Sequence, residues 1–345
     1  MTEFAFKERI IAFCGSNGVG KTNLLDAVFS LCFTKSYFNK PDNLSVTHGM
    51  GGFNLTGNFI KKDEDFPVSI ILRENNKKEL WVDQVQVSPF SQHIGQLPVV
   101  FIAPDDVELI TGSSELRRKM IDTILSQIDS AYLKNLIRYT KTLQDRNRYL
   151  KQSALSGSLD IILLDTFDEQ LVEMGKMILT ARTAFLKIFI PLAESLYGYV
   201  SDDKEKPKLT YQPSAQLELY KDQMIQSRQK DILLQRTSIG VHKDELECTL
   251  NDYSFKQIAS QGQKKSLLFA LKLAEFMMLK NHFGFEPILL LDDIFEKLDQ
   301  LRLVKLLEWV CVQNKGQVIL TDTHAERVEK SMQEISVPFQ LITLE

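Results

Sequence analysis

A chain of 345 residues, 44% hydrophobic and 25% charged, has the composition of a soluble globular protein, with room for one large domain or two ordinary ones. Its formal net charge of -4 excludes a chain-wide attraction to nucleic acid, so any such binding needs a local patch of lysine and arginine. The four cysteines, Cys14, Cys32, Cys248 and Cys311, form no C-x-x-C pair and the five histidines have no metal spacing. That pattern predicts reduced thiols in a cytoplasmic protein and no cysteine or histidine metal site.

The first stretch, MTEFAFKERI, lacks the apolar core of a signal peptide, and no run reaches the roughly 18 apolar residues that span a bilayer, so no membrane is expected. RIIAFC (9–14) predicts a buried strand that runs into the glycine loop GSNGVGKTN (15–23), and 22–31 has helical spacing through Leu24, Leu25, Val28 and Phe29. NKPD at 39–42 matches a guanine-specificity pattern but follows no apolar strand, and is read as chance. From residue 53 the period changes to two, which predicts an antiparallel meander with a turn at NNKK (75–78), followed by the apolar run PVVFIA.

The middle third reads as helical. Ser113 or Ser114 is the expected cap of a helix carrying Met120, Ile121, Ile124, Leu125 and Ile128. SALSGSLD (153–160) reads as a loop, and a second helix is expected to start at Thr166, with Glu169 completing a capping box. KDEL at 243–246 is internal and therefore no retention signal. From Leu246 an α/β pattern resumes: a helix after Gly262, the strand PILLLDD, a helix near 300–310, the strand QVILT and a last extended piece, VPFQLITL. The expected architecture is an α/β lobe, 1–110 and 236–345, with a mixed sheet including the meander, interrupted by a helical lobe at 111–235.

Two stretches carry the chemistry. In the loop, Gly15, Ser16, Asn17, Gly18, Val19, Gly20, Lys21, Thr22 and Asn23 fit G-x-x-x-x-G-K-[ST] with its flanking residue. Glycines let backbone N–H groups turn toward phosphates, Lys21 reaches their outer oxygens, and the Thr22 hydroxyl is placed to ligate Mg²⁺. ILLLDDIFEKLD (288–299) ends a buried strand in two carboxylates; Asp292 is expected to hold the Mg²⁺ and Asp293 to orient or deprotonate an attacking water. Ser260, Gln261, Gly262 and Gln263 open a helix, where Ser260 with Gln263 makes a capping box.

That capped turn, just upstream of a strand ending in Asp-Asp, resembles the signature motif of ABC-type ATPases, in which the serine meets the γ-phosphate of a nucleotide bound by a partner subunit. Across GSNGVGKTNLLDAVFSLCFTKSYF, VVFIAPDDVELITGSSELRRKMID, DRNRYLK, TSIGVHKDEL, SQGQKKSLLFALKLAE and ILLLDDIFEKLD, the chain resembles the RecF family of bacterial recombination-repair ATPases. The resemblance implies an ABC-type ATPase lobe with a helical insertion. It also implies ATP and Mg²⁺ as cofactors, a homodimer formed with ATP, slow DNA-stimulated hydrolysis, and single- and double-stranded DNA at gaps or junctions as the target. RecR and RecO are the implied partners.

Two departures stand out. Lys264-Lys265 makes a more basic turn than the plain signature, a conservative variation. The first strand-like piece, EFAF, lies just ahead of RIIAFC, where the family usually begins with a further strand and an NFRNY-like segment. An edge strand and part of the adenine pocket are therefore expected to be lacking. A transporter nucleotide-binding subunit shares the three motifs but usually carries Glu at the place of Asp293, and a nucleotide-gated clamp would use the same residues. Arg117, Arg118, Lys119, Arg146, Arg148 and Lys151 are the basic candidates for DNA contact.

Overall fold

The computed structural model describes residues 2–201, 205–294 and 300–345, with 300–302 described by backbone alone. In chain order, β1 (Ile10–Cys14) leads into α1 (Lys21–Phe33), followed by β2 (Phe53–Lys61), β3 (Glu64–Leu72), β4 (Lys78–Val82), β5 (Val85–Gln86) and β6 (Val99–Ile102). Then come α2 (Glu108–Thr111), α3 (Ser114–Ile128), α4 (Ser130–Ser156), α5 (Ile161–Ser201), β7 (Lys208–Gln212) and α6 (Tyr220–Leu234). The chain continues with β8 (Glu245–Leu250), β9 (Tyr253–Ser254), α7 (Phe255–Ile258) and α8 (Gln261–Phe283). It ends with β10 (Ile288–Leu291), α9 (Gln300–Leu307), β11 (Val318–Asp322), α10 (Ala325–Glu334) and β12 (Gln340–Thr343). Residues 295–299 of the second motif lie outside the described residues. Among the described residues no helix is long and apolar enough to cross a membrane.

Contacts divide the chain into Met1–Asp106 with Leu268–Glu345, and Val107–Leu267. The return therefore falls inside α8, later than the 235/236 boundary expected from the sequence. The reason is strand pairing: β8 runs antiparallel to β7 and carries β9 on its other edge, which ties the residues after 236 to the helical unit.

In the first unit the mixed character is split between two sheets. One has the order β12-β1-β11-β10-β6 and is parallel at every pairing; the other is the antiparallel meander β2-β3-β4-β5. Every residue of β1 and β11 is buried, as a parallel strand covered on both faces requires. β2 instead alternates half-buried and exposed residues, one face of the meander packing on the core and the other meeting solvent. Aromatic rings fill the core beside α1: Phe101 stacks on Tyr37 at 4.3 Å between ring centroids and meets the edge of Phe29 at 5.9 Å. EFAF is not a strand; the rings of Phe4 and Phe6 pack edge-on against Phe13, at 5.3 and 6.0 Å.

In the second unit two helices, α3 and α4, stand ahead of the 153–160 stretch where the sequence suggested one, and α5 starts earlier than expected. The Asp129 carboxylate accepts from the N–H groups of Ala131 and Tyr132 and starts α4, which runs through Ser156, so the loop shrinks to residues 157–160. α5 starts at Ile161 and not at Thr166. Asp160 takes the N–H groups of Ile162 and Leu163, while the Thr166 hydroxyl donates back to Ile162 O and Glu169 pairs with Lys221. Ser113 sits at the cap of α3, but its side chain makes no capping bond.

Candidate functional site

The parallel order sets the C-terminal ends of β1, β11 and β10 side by side, with Cys14 level with Asp322 and Leu291 level with Leu320. Ligands bind at this edge in sheets of this kind. The loop after β1 is anchored where Gly15 N donates to Asp322 O at 3.3 Å. A Cβ on Gly15 would come within 2.6 Å of the Leu344 carbonyl oxygen, so the backbone approach itself demands glycine. Gly18 and Gly20 have φ of 90° and 99°, in the left-handed region, with open space around them. Ser16, Asn17 and Gly18 are exposed on the rim, Val19 is half-buried, and Asn23 is exposed on α1. No side chain caps the N-terminus of α1, which leaves its first N–H groups facing the loop.

Lys21 is only 4% exposed, and its ammonium donates to Gly15 O at 2.8 Å and Ser16 O at 3.1 Å. The Thr22 hydroxyl donates to the Asp292 carboxylate, 2.9 Å from Oδ2 and 3.1 Å from Oδ1. Thr321 Oγ1 donates to Asp292 Oδ1 at 2.8 Å, and Asp292 N donates to Ile102 O. Burial pushes the Asp292 carboxyl upward from its ordinary range, opposed by the hydroxyls of Thr321 and Thr22 and by the charge of Lys21. Asp293 follows at φ 44°, with its N–H donating to Thr321 Oγ1 at 2.9 Å. Cys14, behind the loop, is pushed up to about 11, chiefly by burial and then by the charge of Asp322, which keeps the thiol protonated.

The structure thus brings Gly15, Lys21, Thr22, Asp292 and Asp293 to one sheet edge. Ser260, Gln261, Gly262 and Gln263 lie in the other unit and form the capping box: Ser260 Oγ accepts from Gln263 N at 3.2 Å, and Gln263 Oε1 accepts from Ser260 N at 2.5 Å. Ser260 and Gln261 are exposed. Thr321 and Asp322 were missed in the sequence. Their signal was the one used for Asp292, polar residues closing a buried parallel strand, here VILTD. Asp322 is itself held by Arg327, whose Nη2 donates to both its oxygens at 2.6 and 2.8 Å.

Thr22 and Asp292 fit a magnesium ion. Mg²⁺ takes oxygen ligands at about 2.1 Å in octahedral geometry, which sets neighbouring ligand oxygens about 3 Å apart. The hydroxyl and the carboxylate already stand at that separation. Two protein oxygens, with the rest supplied by phosphates and water, is how this ion is usually held. No cluster of three histidine, cysteine or carboxylate side chains that could hold a metal is present among the described residues.

Three of the basic candidates for DNA contact are corrected. Arg146 is fully buried between Asp168 and Asp231, Arg117 pairs with Glu245, and Arg118 is half-buried and donates to Asp244 O. Lys119, Arg148 and Lys151 are exposed.

The sequence matches the family described as RecF/RecN/SMC N terminal domain over residues 1–341. A protein of Flavobacterium johnsoniae named DNA replication and repair protein RecF is 39% identical over 345 residues, covering 99% of this chain and 95% of its own. The protein of the same name from Cytophaga hutchinsonii is 38% identical, covering 99% and 91%. Among solved structures, that of the recombination mediator protein RecF-ATP in the RecFOR pathway aligns with a TM-score of 0.85 at 28% identity, covering 94% of this chain and 87% of that one. An Smc head domain from Pyrococcus furiosus, bound to the C-terminal domain of ScpA, shares the fold at a TM-score of 0.54 and 14% identity.

Proposed function

The chain belongs to the RecF family of DNA replication and repair proteins, with the ABC-type ATPase fold, and from that premise we propose that it is a DNA-binding ATPase whose ATP-bound dimer marks gaps or junctions for repair. The observation that carries the reading is the Thr22–Asp292 pair beside the lysine of the glycine loop. Lys21 donates to uncharged carbonyls of its own loop, contacts that phosphate oxygens can replace at a gain in charge pairing. The N–H groups of the loop and of α1 take the remaining phosphate oxygens. Thr22 and Asp292 would hold Mg²⁺, which when bound would supply positive charge beside the phosphates. Asp293, at the carboxyl end of β10, orients or deprotonates the attacking water.

The exposed capping box on α8 serves the partner copy. Its serine and helix N-terminus meet the γ-phosphate of the ATP held by the other subunit, so nucleotide closes an isologous dimer and slow hydrolysis reopens it. DNA, single- or double-stranded, is held electrostatically and without sequence preference through exposed side chains such as Lys119, Arg148 and Lys151. RecR and RecO are the partners through which recombinase is loaded, in the cytoplasm.

ATP turnover by the purified protein, with and without gapped duplex DNA, tests the reading. Hydrolysis that needs Mg²⁺ and rises with DNA is expected, together with an Asp293→Asn protein that binds ATP, stays dimeric and does not hydrolyse it. Failure to bind ATP, or a monomer in saturating ATP, contradicts it.

A further inference from the structure

We propose that Thr321 is a positioning residue of the nucleotide site, the side chain that aims both Asp292 and Asp293. The inference rests on the nucleotide reading above and names the residue that sets the geometry of its metal. β11 lies between β1 and β10, and Leu320 pairs with Leu291, so Thr321 stands level with Asp292 at the end of the neighbouring strand. Its hydroxyl is fully buried and makes two contacts of opposite sense, receiving the N–H of Asp293 at 2.9 Å and reaching Asp292 Oδ1 at 2.8 Å. An amide can only donate, so the single hydroxyl proton must go to the carboxylate. The direction of both bonds is thereby fixed.

The consequences reach both acids. Asp292 is held from the β11 side through Oδ1 while Oδ2 faces the Thr22 hydroxyl, which keeps an oxygen turned toward the site. A Thr22 hydroxyl that gives a lone pair to a metal keeps its proton on Asp292, and the bond from Thr321 holds the same carboxylate from the β11 side. The amide entering Asp293 is held at the same point, at a residue whose φ of 44° lies in the left-handed region that costs a side-chain-bearing residue energy. One hydroxyl thus sets the rotamer of the metal-holding acid and the backbone turn that presents the next one. Partners that orient metal ligands in this way are worth about 10- to 100-fold in metal affinity or activity.

The test compares Thr321→Val, which keeps the shape and removes the hydroxyl, with Thr321→Ser, which keeps the hydroxyl. Binding of a fluorescent ATP analogue is titrated with and without Mg²⁺, alongside hydrolysis and thermal unfolding. For Thr321→Val the Mg²⁺ concentration at half-effect should rise at least about tenfold and turnover should fall by a similar factor, with metal-free nucleotide binding unchanged. Thr321→Ser should stay within about threefold of the parent. Should the valine protein not fold, Thr321→Ala, which buries no new methyl group, is read in the same way. A variant that folds less stably yet has the parent's Mg²⁺ dependence makes Thr321 a structural residue and overturns the inference, while leaving the nucleotide reading intact. A parent protein whose nucleotide binding ignores Mg²⁺ overturns both.

Discussion

Both units bury charge, but they use it differently. In the helical unit Arg146 faces Asp168 at 2.7 Å, Asp231 at 2.8 Å and the hydroxyl of Thr237 at 2.9 Å. Arg182 faces Asp122 at 2.7 Å and Asp244 at 2.8 Å and donates to Val241 O at 2.6 Å. Each cation has two carboxylates, contributed by segments far apart in sequence, and the charges close on one another. At the sheet edge of the other unit, Lys21 donates to two uncharged carbonyls and Asp292 is held by two hydroxyls. Charge that is matched inside the chain fastens helices together. Charge set against neutral dipoles has an incoming partner of higher charge to gain, and that difference separates scaffold from site more reliably than burial does.

The comparison breaks first at Arg146. Arg146→Met should cost about 3–5 kcal/mol of stability, because the buried Asp231 loses its cation and Asp168 keeps only Arg228, yet leave ATP affinity unchanged wherever the protein remains folded. Denaturant unfolding with nucleotide titration checks both halves. The next largest effect is the mirror image: Lys21→Met should weaken ATP binding about 100-fold, close to 2.7 kcal/mol, with little change in melting temperature. Equal loss of stability in both variants would erase the distinction.

A smaller effect sharpens it through pH. His242 bridges the helical unit, its Nδ1 bonded to the Tyr139 hydroxyl at 2.7 Å and its Nε2 to Thr237 O at 3.2 Å. Since a carbonyl only accepts, Nε2 carries the proton and Nδ1 accepts from tyrosine. Burial lowers its pKa to about 4 from an ordinary 6.5, with the charges of Lys243 and Arg118 adding to the effect. As pH falls through 6.5 the unfolded chain takes a proton that the folded chain refuses until about 4, so stability is lost across that window. By pH 5 the loss should approach 2 kcal/mol. His242→Gln should flatten that part of the pH dependence in denaturant titrations, and an unchanged slope would contradict it. Smallest of all, Ser260→Ala should cost about 1 kcal/mol as a lost cap, measured by thermal unfolding, whatever else the residue does.

How much of this was legible in the sequence follows from the range of the interactions. The loop at 15–23, the strand ending at Asp292 and the box at Ser260–Gln263 are local patterns, and the structure contains each as a local feature. The start of α5 was misread because Thr166 and Glu169 also fit a capping box; Asp160 wins because its carboxylate takes two N–H groups at once and its backbone is tied to Tyr149. Arg146 looked like a surface cation because its partners, Asp168 and Asp231, lie 22 and 85 residues away, beyond any local pattern. Lys272 on α8 has one local partner, Glu275, three residues on, but the Tyr37 hydroxyl to which it also donates lies 235 residues away and is equally beyond any local pattern. Thr321 was hidden for a different reason. Its meaning depends on which strand lies beside β10, and strand order is not written in periodicity.

The most direct trial joins the two regions through the proposed dimer. Lys21→Met and Ser260→Arg proteins should each be inactive alone, since every shared site in either homodimer carries one lesion. Mixed in equal amounts, about half the dimers are heterodimers, in which one site collects both lesions and the other has none. With sites that fire independently, ATP hydrolysis should return to about a quarter of the parent level. A Ser260→Arg protein that hydrolyses ATP normally on its own, with no rescue on mixing, would confine Ser260 to capping its own helix and contradict a site shared between two copies.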